Sequence, residues 1–273
     1  MAIFTLIVGI ILGLISGASY LQYRKLQEEF SAIISTETST VEDLKKISEE
    51  VAEELGNTGY FRQQAEVKVT IQCENPLTAN LSHESCIYYQ TVINERYEKT
   101  EWVEDDEGNF EPNKSEGSKN LVNNFRCVDF FLEDDTGQIL VNPDHGKIEG
   151  VQVYDYYQPA DSIDELEMSC GDIEIEFSPR NDAEYQTLGY QFQEVILPVN
   201  TQVYIIGEAS DRVGDLELHQ PSEENQLFLI SYKSEEELSE EKREDIKKNK
   251  KIAQLYLFSA IAFLIFALIN LLN

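Results

Sequence analysis

Residues 125–148 read FRCVDFFLEDDTGQILVNPDHGKI, and this stretch decides the fold class. Phe130 and Leu132 alternate with Phe131 and Glu133, Asp134-Asp135-Thr136-Gly137 supplies turn residues, and Ile139 and Val141 alternate with Leu140 and Asn142. Period-two alternation on both sides of a turn is the signature of a β-hairpin with one buried face. Gly137 is the expected positive-φ position, because glycine enters that region without a Cβ clash, and Pro143 ends the return strand. Asp135, Thr136 and Gly137 read as fixing the loop through side-chain to backbone hydrogen bonds. A catalytic acid pair is the poorer reading, since it needs one carboxyl in an apolar pocket, whereas acids at a turn are solvated.

The same period extends outward. Ala65, Val67, Val69 and Ile71 alternate with polar residues, 86–103 is aromatic and β-branched, and 195–207 predicts two short strands around Pro198-Val199-Asn200. Strands recur without long helical patterns between them, so 57–233 is expected to be a mainly β central domain, barrel- or sandwich-like. Residues 104–120 are polar and predict a mobile hairpin tip. The stretch 105–116 has the length of a calcium-binding EF-hand loop, but Glu107 at its third position and Phe110 at its sixth exclude that site. Trp102, with Tyr88, Tyr89 and Tyr97 on the same strand, reads as core and edge packing.

Outside the β region the period changes to helical. Residues 2–21 and 252–272 carry no charge, and at about 1.5 Å per residue each matches the roughly 30 Å of a bilayer core. Both are expected to be transmembrane helices. The first lacks the basic start of a signal peptide. Gly9, Gly13 and Gly17 lie four apart and predict a helix-packing stripe, with the second span or another copy of the chain as its partner. Residues 22–56 hold juxtamembrane and amphipathic helices, with a capping box at Ser39 and Glu42 and a left-handed end at Gly56. Residues 234–251 run from acidic to basic, which suits a charged helix continuing into the second span.

The 273 residues carry 51 acids against 21 bases, a formal charge of −30, which argues against nucleic acid as a partner. Cys73, Cys86, Cys127 and Cys170, with His83, His145 and His219, lack the paired spacing of a structural zinc site. Free thiols in a β core are expected, although four cysteines allow three disulfide pairings. Cys86 near His83 is not read as a nucleophile, because neighbouring strand residues point to opposite faces. No catalytic residue, cofactor or metal is expected.

Several motifs together resemble the GIDE family, membrane proteins related to the MULAN-type E3 ubiquitin ligases of mitochondria and chloroplast envelopes. Ser85-Cys86-Ile87-Tyr88-Tyr89 is similar to a family segment ending C-V-Y-Y. The 130–143 hairpin resembles its F-x-L-x-D-x-T-G-x-V-x-V-x-P pattern. Thr187-Leu188-Gly189-Tyr190 through Glu194, Leu197, Val203, Tyr204 and Gly207, and then Phe228-Leu229-Ile230-Ser231, resemble its last strands. The resemblance implies a two-span protein whose β domain meets other proteins beside a bilayer. In the ligases a cytosolic RING follows, but this sequence contains no zinc-ligand series, so the resemblance implies a RING-less, bacterial member without ligase activity of its own. The rival expectations are a component of an E3 ubiquitin ligase and, further off, a membrane-bound hydrolase. On sidedness two rules disagree. Arg24, Lys25 and the basic run before the second span put the domain in the cytoplasm, whereas the family's topology puts it on the non-cytosolic side. Lipid bilayer and an unidentified protein, or a second copy of the chain, are the expected partners.

Overall fold

The computed structural model describes residues 2–104, 108–163, 166–170, 173–212, 214–223 and 226–272. The 130–143 reading holds. Strands β5 (Phe130–Asp134) and β6 (Gly137–Val141), counted in chain order, pair antiparallel with Phe130 opposite Val141 and Asp134 opposite Gly137. Phe130, Leu132, Ile139 and Val141 are buried, while Phe131 faces out. The loop is two residues long, shorter than the usual glycine-ended alternative, and Gly137 sits at φ +156.

This hairpin is two staves of a small barrel. Strand β1 (Arg62–Gln72) pairs with β5 on one side and with β12 (Gln202–Ser210) on the other. Strand β13 (Glu217–His219) closes the ring by lying parallel to β6 and antiparallel to β12. Closure removes the unpaired edges that an open sheet would present. Ala65, Val67, Val69 and Ile71 of β1 join Val203, Ile205 and Leu218 inside it. On β12 the opposite face is buried too, with Tyr204 and Ile206 beneath Ile33, Leu229 and Leu238.

A second, open sheet stands beside the barrel. Its long members are β3 (Ser85–Glu104), β4 (Phe110–Cys127) and β11 (Tyr185–Pro198), with β8 (Val151–Pro159) on the far edge and β2 (Leu77–Thr78) at the near end of β3. The chain passes between the sheets from β7 (Lys147–Glu149), which pairs with β14 (Leu229–Ser231) on β12, through Gly150 into β8. A Cβ on Gly150 would fall 2.3 Å from the Ile196 carbonyl oxygen, so only glycine fits this crossing. A short hairpin, β9 (Leu166–Cys170) and β10 (Ile173–Phe177), covers the sheet, where Phe177 meets the Tyr190 ring edge-on at 4.9 Å.

The polar 110–120 segment is not a loop. It belongs to β4 and pairs with β3 as far as Glu104 opposite Phe110. Its low apolar content reflects exposure on both faces, and the backbone ladder to β3 holds it in strand form. Residues 105–107 lie outside the described set, as does the start of the EF-hand-length stretch.

Three helices complete the fold. Helix α1 (Ala2–Ser35) and helix α3 (Glu235–Leu272) are each unbroken, so the charged and apolar parts of α3 do form one rod. Both are long and apolar enough to cross a membrane. They pack side by side and antiparallel, Gly9 beside Leu264, Ser16 beside Ala253 and Ile33 beside Leu238. Helix α2 (Val41–Leu55) is capped by Thr40 and Asp43, one residue later than the sequence reading, and ends at Gly56 with φ +73. It buries Val41, Leu44 and Ser48 on the barrel, leaving Ile47 and Leu55 in the open.

Candidate functional site

The hairpin turn has a structural role. Asp134, rather than Asp135, makes the loop-fixing bonds: its Oδ1 accepts from the Thr136 and Gly137 amides at 2.7 and 3.0 Å. Its Oδ2 accepts from the Val41 amide at 2.9 Å, and Thr136 Oγ1 accepts from the Glu42 amide at 3.0 Å. The turn thus satisfies two of the open backbone donors at the start of α2 and pins that helix to the barrel. Burial alone would raise the Asp134 pKa, but the bonds from Thr136, Val41 and Gly137 outweigh it and hold the carboxyl below its usual value. A carboxylate so committed is poorly placed for acid–base work.

The buried acids are similarly occupied. Glu194 accepts from the Leu81 and Ser82 amides at 3.0 and 2.8 Å and from Thr91 at 2.8 Å. Glu66 accepts from the Tyr204 hydroxyl at 2.7 Å and from Thr38 at 2.6 Å, and Glu95 from Thr187 at 2.7 Å. Burial, with Glu194 nearby, pushes the Cys86 thiol up to about 11, far from the thiolate a nucleophile needs at neutral pH. His83 is not on the strand with it but in the preceding turn, at φ +60. Cys73, Cys86 and Cys127 are free thiols, only Cys86 fully buried, and the Cys170 side chain lies outside the described set. Among the described residues no group of three or more His, Cys, Asp or Glu side chains is placed to hold a metal ion.

Of the glycine stripe, the structure brings one member to the helix seam. A Cβ on Gly9 would come within 2.9 Å of Leu264, whereas one on Gly13 or Gly17 would meet nothing within 4 Å. The seam is built instead from Thr5, Gly9 and Ser16 against Ala253, Ala260 and Ala267, all buried, with the Ser16 hydroxyl donating to the Ala253 carbonyl at 2.8 Å. A seven-residue alanine repeat on α3 was the available signal.

Where the helices leave the apolar stretch, a collar of charges ties them to the barrel. Lys242, buried on α3, meets Glu29 of α1 at 2.5 Å, and Lys147 on β7 approaches the same carboxylate at 3.5 Å. Glu149 joins Lys147 at 3.0 Å and Lys233 at 3.8 Å, and Lys233 reaches Glu241 at 2.5 Å. The three lysines balance the three glutamates, which a buried amine requires.

The far end of the β3–β4 ribbon differs from all of these sites. Strand β11 accompanies β3 only as far as Lys99, so 101–104 and 110–113 stand clear as a two-stranded tip. Along β3, Ile87 lies in the barrel core and Glu104 at the tip, a reach of about 55 Å at ~3.3 Å per residue. There Trp102 is 56% exposed, Val103 50% and Phe110 64%. Trp102 is therefore not core packing; Tyr89 on the same strand is, and Tyr97 stacks on Tyr185 at 4.8 Å. Trp102 pairs with Pro112, and Phe110 lies two residues before Pro112 on β4, which puts the three on one face. Glu101, Glu104 and Glu111 flank them.

A family model described as GIDE, E3 ubiquitin ligase, matches residues 98–269, well over half of the chain. The match takes in the ribbon tip, the β5–β6 hairpin and most of α3, and leaves Ser85–Tyr89, β1 and α1 before it. No curated protein and no solved structure matches.

Proposed function

The chain belongs to the GIDE family, and from that premise we propose that it is a two-span membrane protein whose β module engages another protein through the tip of the β3–β4 ribbon. The observation that carries the reading is the exposure of Trp102, Val103 and Phe110 at the end of a strand pair that no third strand accompanies beyond Lys99 among the described residues. Elsewhere in the β module large apolar side chains are mostly covered, and an aromatic cluster held in water is the usual mark of a contact site. The flanking acids fit a partner with a basic rim around an apolar pocket, and they disfavour both an anionic bilayer and a second copy of a chain with net charge −30. Helices α1 and α3 anchor the module, their outward faces lined by residues such as Leu14, Leu21, Phe258 and Leu268.

A photo-reactive phenylalanine analogue at position 110, illuminated in the native membrane, tests this. One discrete protein adduct that disappears with Trp102→Ala is the expected result; adducts to lipid only, or none, would defeat the proposal.

The family description favours a second reading, participation in ubiquitin transfer. The described residues gather no metal-binding group, so such activity would draw on a zinc-ordered surface outside them. Ubiquitin transfer by the isolated chain with a conjugating enzyme would replace the first reading with this one.

A further inference from the structure

The chain is acidic nearly throughout, with one exception. Residues 20–27 of α1 and 247–254 of α3 face each other at the end of the apolar stretches and read YLQYRKLQ and KKNKKIAQ. This band holds six basic residues and no acid, in a chain with 51 acids and 21 bases. The helices do not close on each other here. They leave a cleft of about 370 Å³ lined by Tyr20, Tyr23, Arg24, Gln27, Lys250 and Gln254, floored by Ala253. Below the floor the Ser16 to Ala253 hydrogen bond draws the helices together again.

We propose that this cleft binds the phosphate of an anionic phospholipid. The proposal rests on the reading that α1 and α3 span a membrane. Tyr20 and Tyr23 then stand at headgroup depth, where an aromatic ring keeps its body in the apolar layer and its hydroxyl in water. Arg24 and Lys250, from opposite helices, put a planar donor fork and a compact ammonium on either side of one opening, and both groups bind phosphate oxygens, one as a bidentate fork and the other as a point charge. Arg24 has a carboxylate nearby, Glu28 at 3.7 Å, but both side chains are more than half exposed, and such a pair yields readily to a phosphate. Gln27 and Gln254 supply neutral donors for the glycerol or headgroup oxygens. Leu21 and Leu255, exposed beside the cleft, continue toward the bilayer as a surface for acyl chains. The net charge of the lipid matters because Lys25, Lys247, Lys248 and Lys251 lie in the same acid-free stretches, 20–27 and 247–254, as Arg24 and Lys250, so a zwitterionic headgroup would bring its own ammonium into a positive field.

The test uses the full chain in neutral detergent, titrated separately with phosphatidylglycerol, phosphatidylcholine and glycerol 3-phosphate, with bound molecules counted by native mass spectrometry. Phosphatidylglycerol should bind more tightly than phosphatidylcholine, and Arg24→Gln with Lys250→Gln should weaken it about thirty-fold, the expected effect of two basic side chains at a headgroup. Lys247→Gln with Lys248→Gln removes the same charge outside the cleft and should weaken it only a few-fold, and Arg24→Lys with Lys250→Arg should recover most of the binding. Equal losses from the two charge-removing pairs would show diffuse attraction and overturn the site. Equal binding of both lipids would do the same, and so would full displacement by millimolar glycerol 3-phosphate, which would make it a site for soluble phosphate esters. Alkaline carbonate extraction of native membranes separates the two levels: release of the chain removes the membrane reading itself, whereas retention without lipid preference removes only the cleft.

Discussion

The two hairpins of the β module use their tips in opposite ways. In β5–β6 the tip is tied down: Asp134 and Thr136 give their oxygens to the loop and to the first turn of α2, and the strands behind them are barrel staves. In β3–β4 the tip is released: beyond Lys99 no third strand pairs with it among the described residues, and Trp102 and Phe110 lie in solvent. Both tips are acidic, so charge does not distinguish them. The difference lies in what stands opposite the carboxylates, amide donors of a helix in one case and, in the other, no helix start among the described residues, with Glu101 paired to the exposed Lys99 at 2.7 Å. An acidic turn is therefore structural where a helix start faces it, and available to a partner where none does.

Perturbing each hairpin should separate the two uses. The largest effect belongs to the tied hairpin's buried face: Leu132→Ala removes a fully buried side chain from the closed barrel and should cost about 2–5 kcal/mol in chemical denaturation. A loss below about 1 kcal/mol would mean that the barrel is not the cooperative unit. Asp134→Ala comes next, at roughly 1–3 kcal/mol, because it strands the Val41 and Gly137 amides. Proteolysis near α2 should accelerate in this variant ahead of cleavage in the barrel strands, whereas Asp135→Ala should leave both unchanged.

The pH dependence of the same site sharpens the contrast. The Asp134 carboxyl is held below its usual value in the fold, so its contribution is complete above about pH 4 and is lost as pH falls through the folded value. The melting difference between the native chain and Asp134→Asn should accordingly be widest near neutrality and shrink in acid; a gap that widens in acid contradicts the assignment. The smallest effect is at the free tip. Trp102→Ala with Phe110→Ala should alter stability by no more than about 0.5 kcal/mol while abolishing the partner contact, since both rings are more than half exposed. Trp102 is the chain's single tryptophan, so a red emission maximum in the free protein and a blue shift on partner binding would report the tip alone.

What could be read locally was read correctly where one periodicity acted alone. The hairpin at 130–141 and the β1 alternation as strands, and the two uncharged stretches as helices, each carry a single pattern along the chain. The start of α2 shows the limit of this. Ser39-Thr40-Val41-Glu42-Asp43 holds two overlapping capping patterns, and Thr40 with Asp43 forms the cap in a fold where Asp134, 93 residues away, takes the Val41 amide. The glycine stripe shows the same limit within one chain, where only Gly9 meets the other helix. Spacing puts three glycines on one side of α1, but the antiparallel register against Ala253, Ala260 and Ala267 selects which of them meets the other helix.

The sequence by itself determined the β character of the centre, the two apolar helices and the net acidity, because these depend on composition and on the repeat of side chains along one element. Only the tertiary structure decided that β1 and β12 close a barrel, that Glu29 neutralises Lys242 across 213 residues, and that Trp102 is left in water. Pairing between distant elements leaves no period in either one. A strand's alternation states which of its faces can be covered, and the neighbour that arrives, or fails to, settles whether it is.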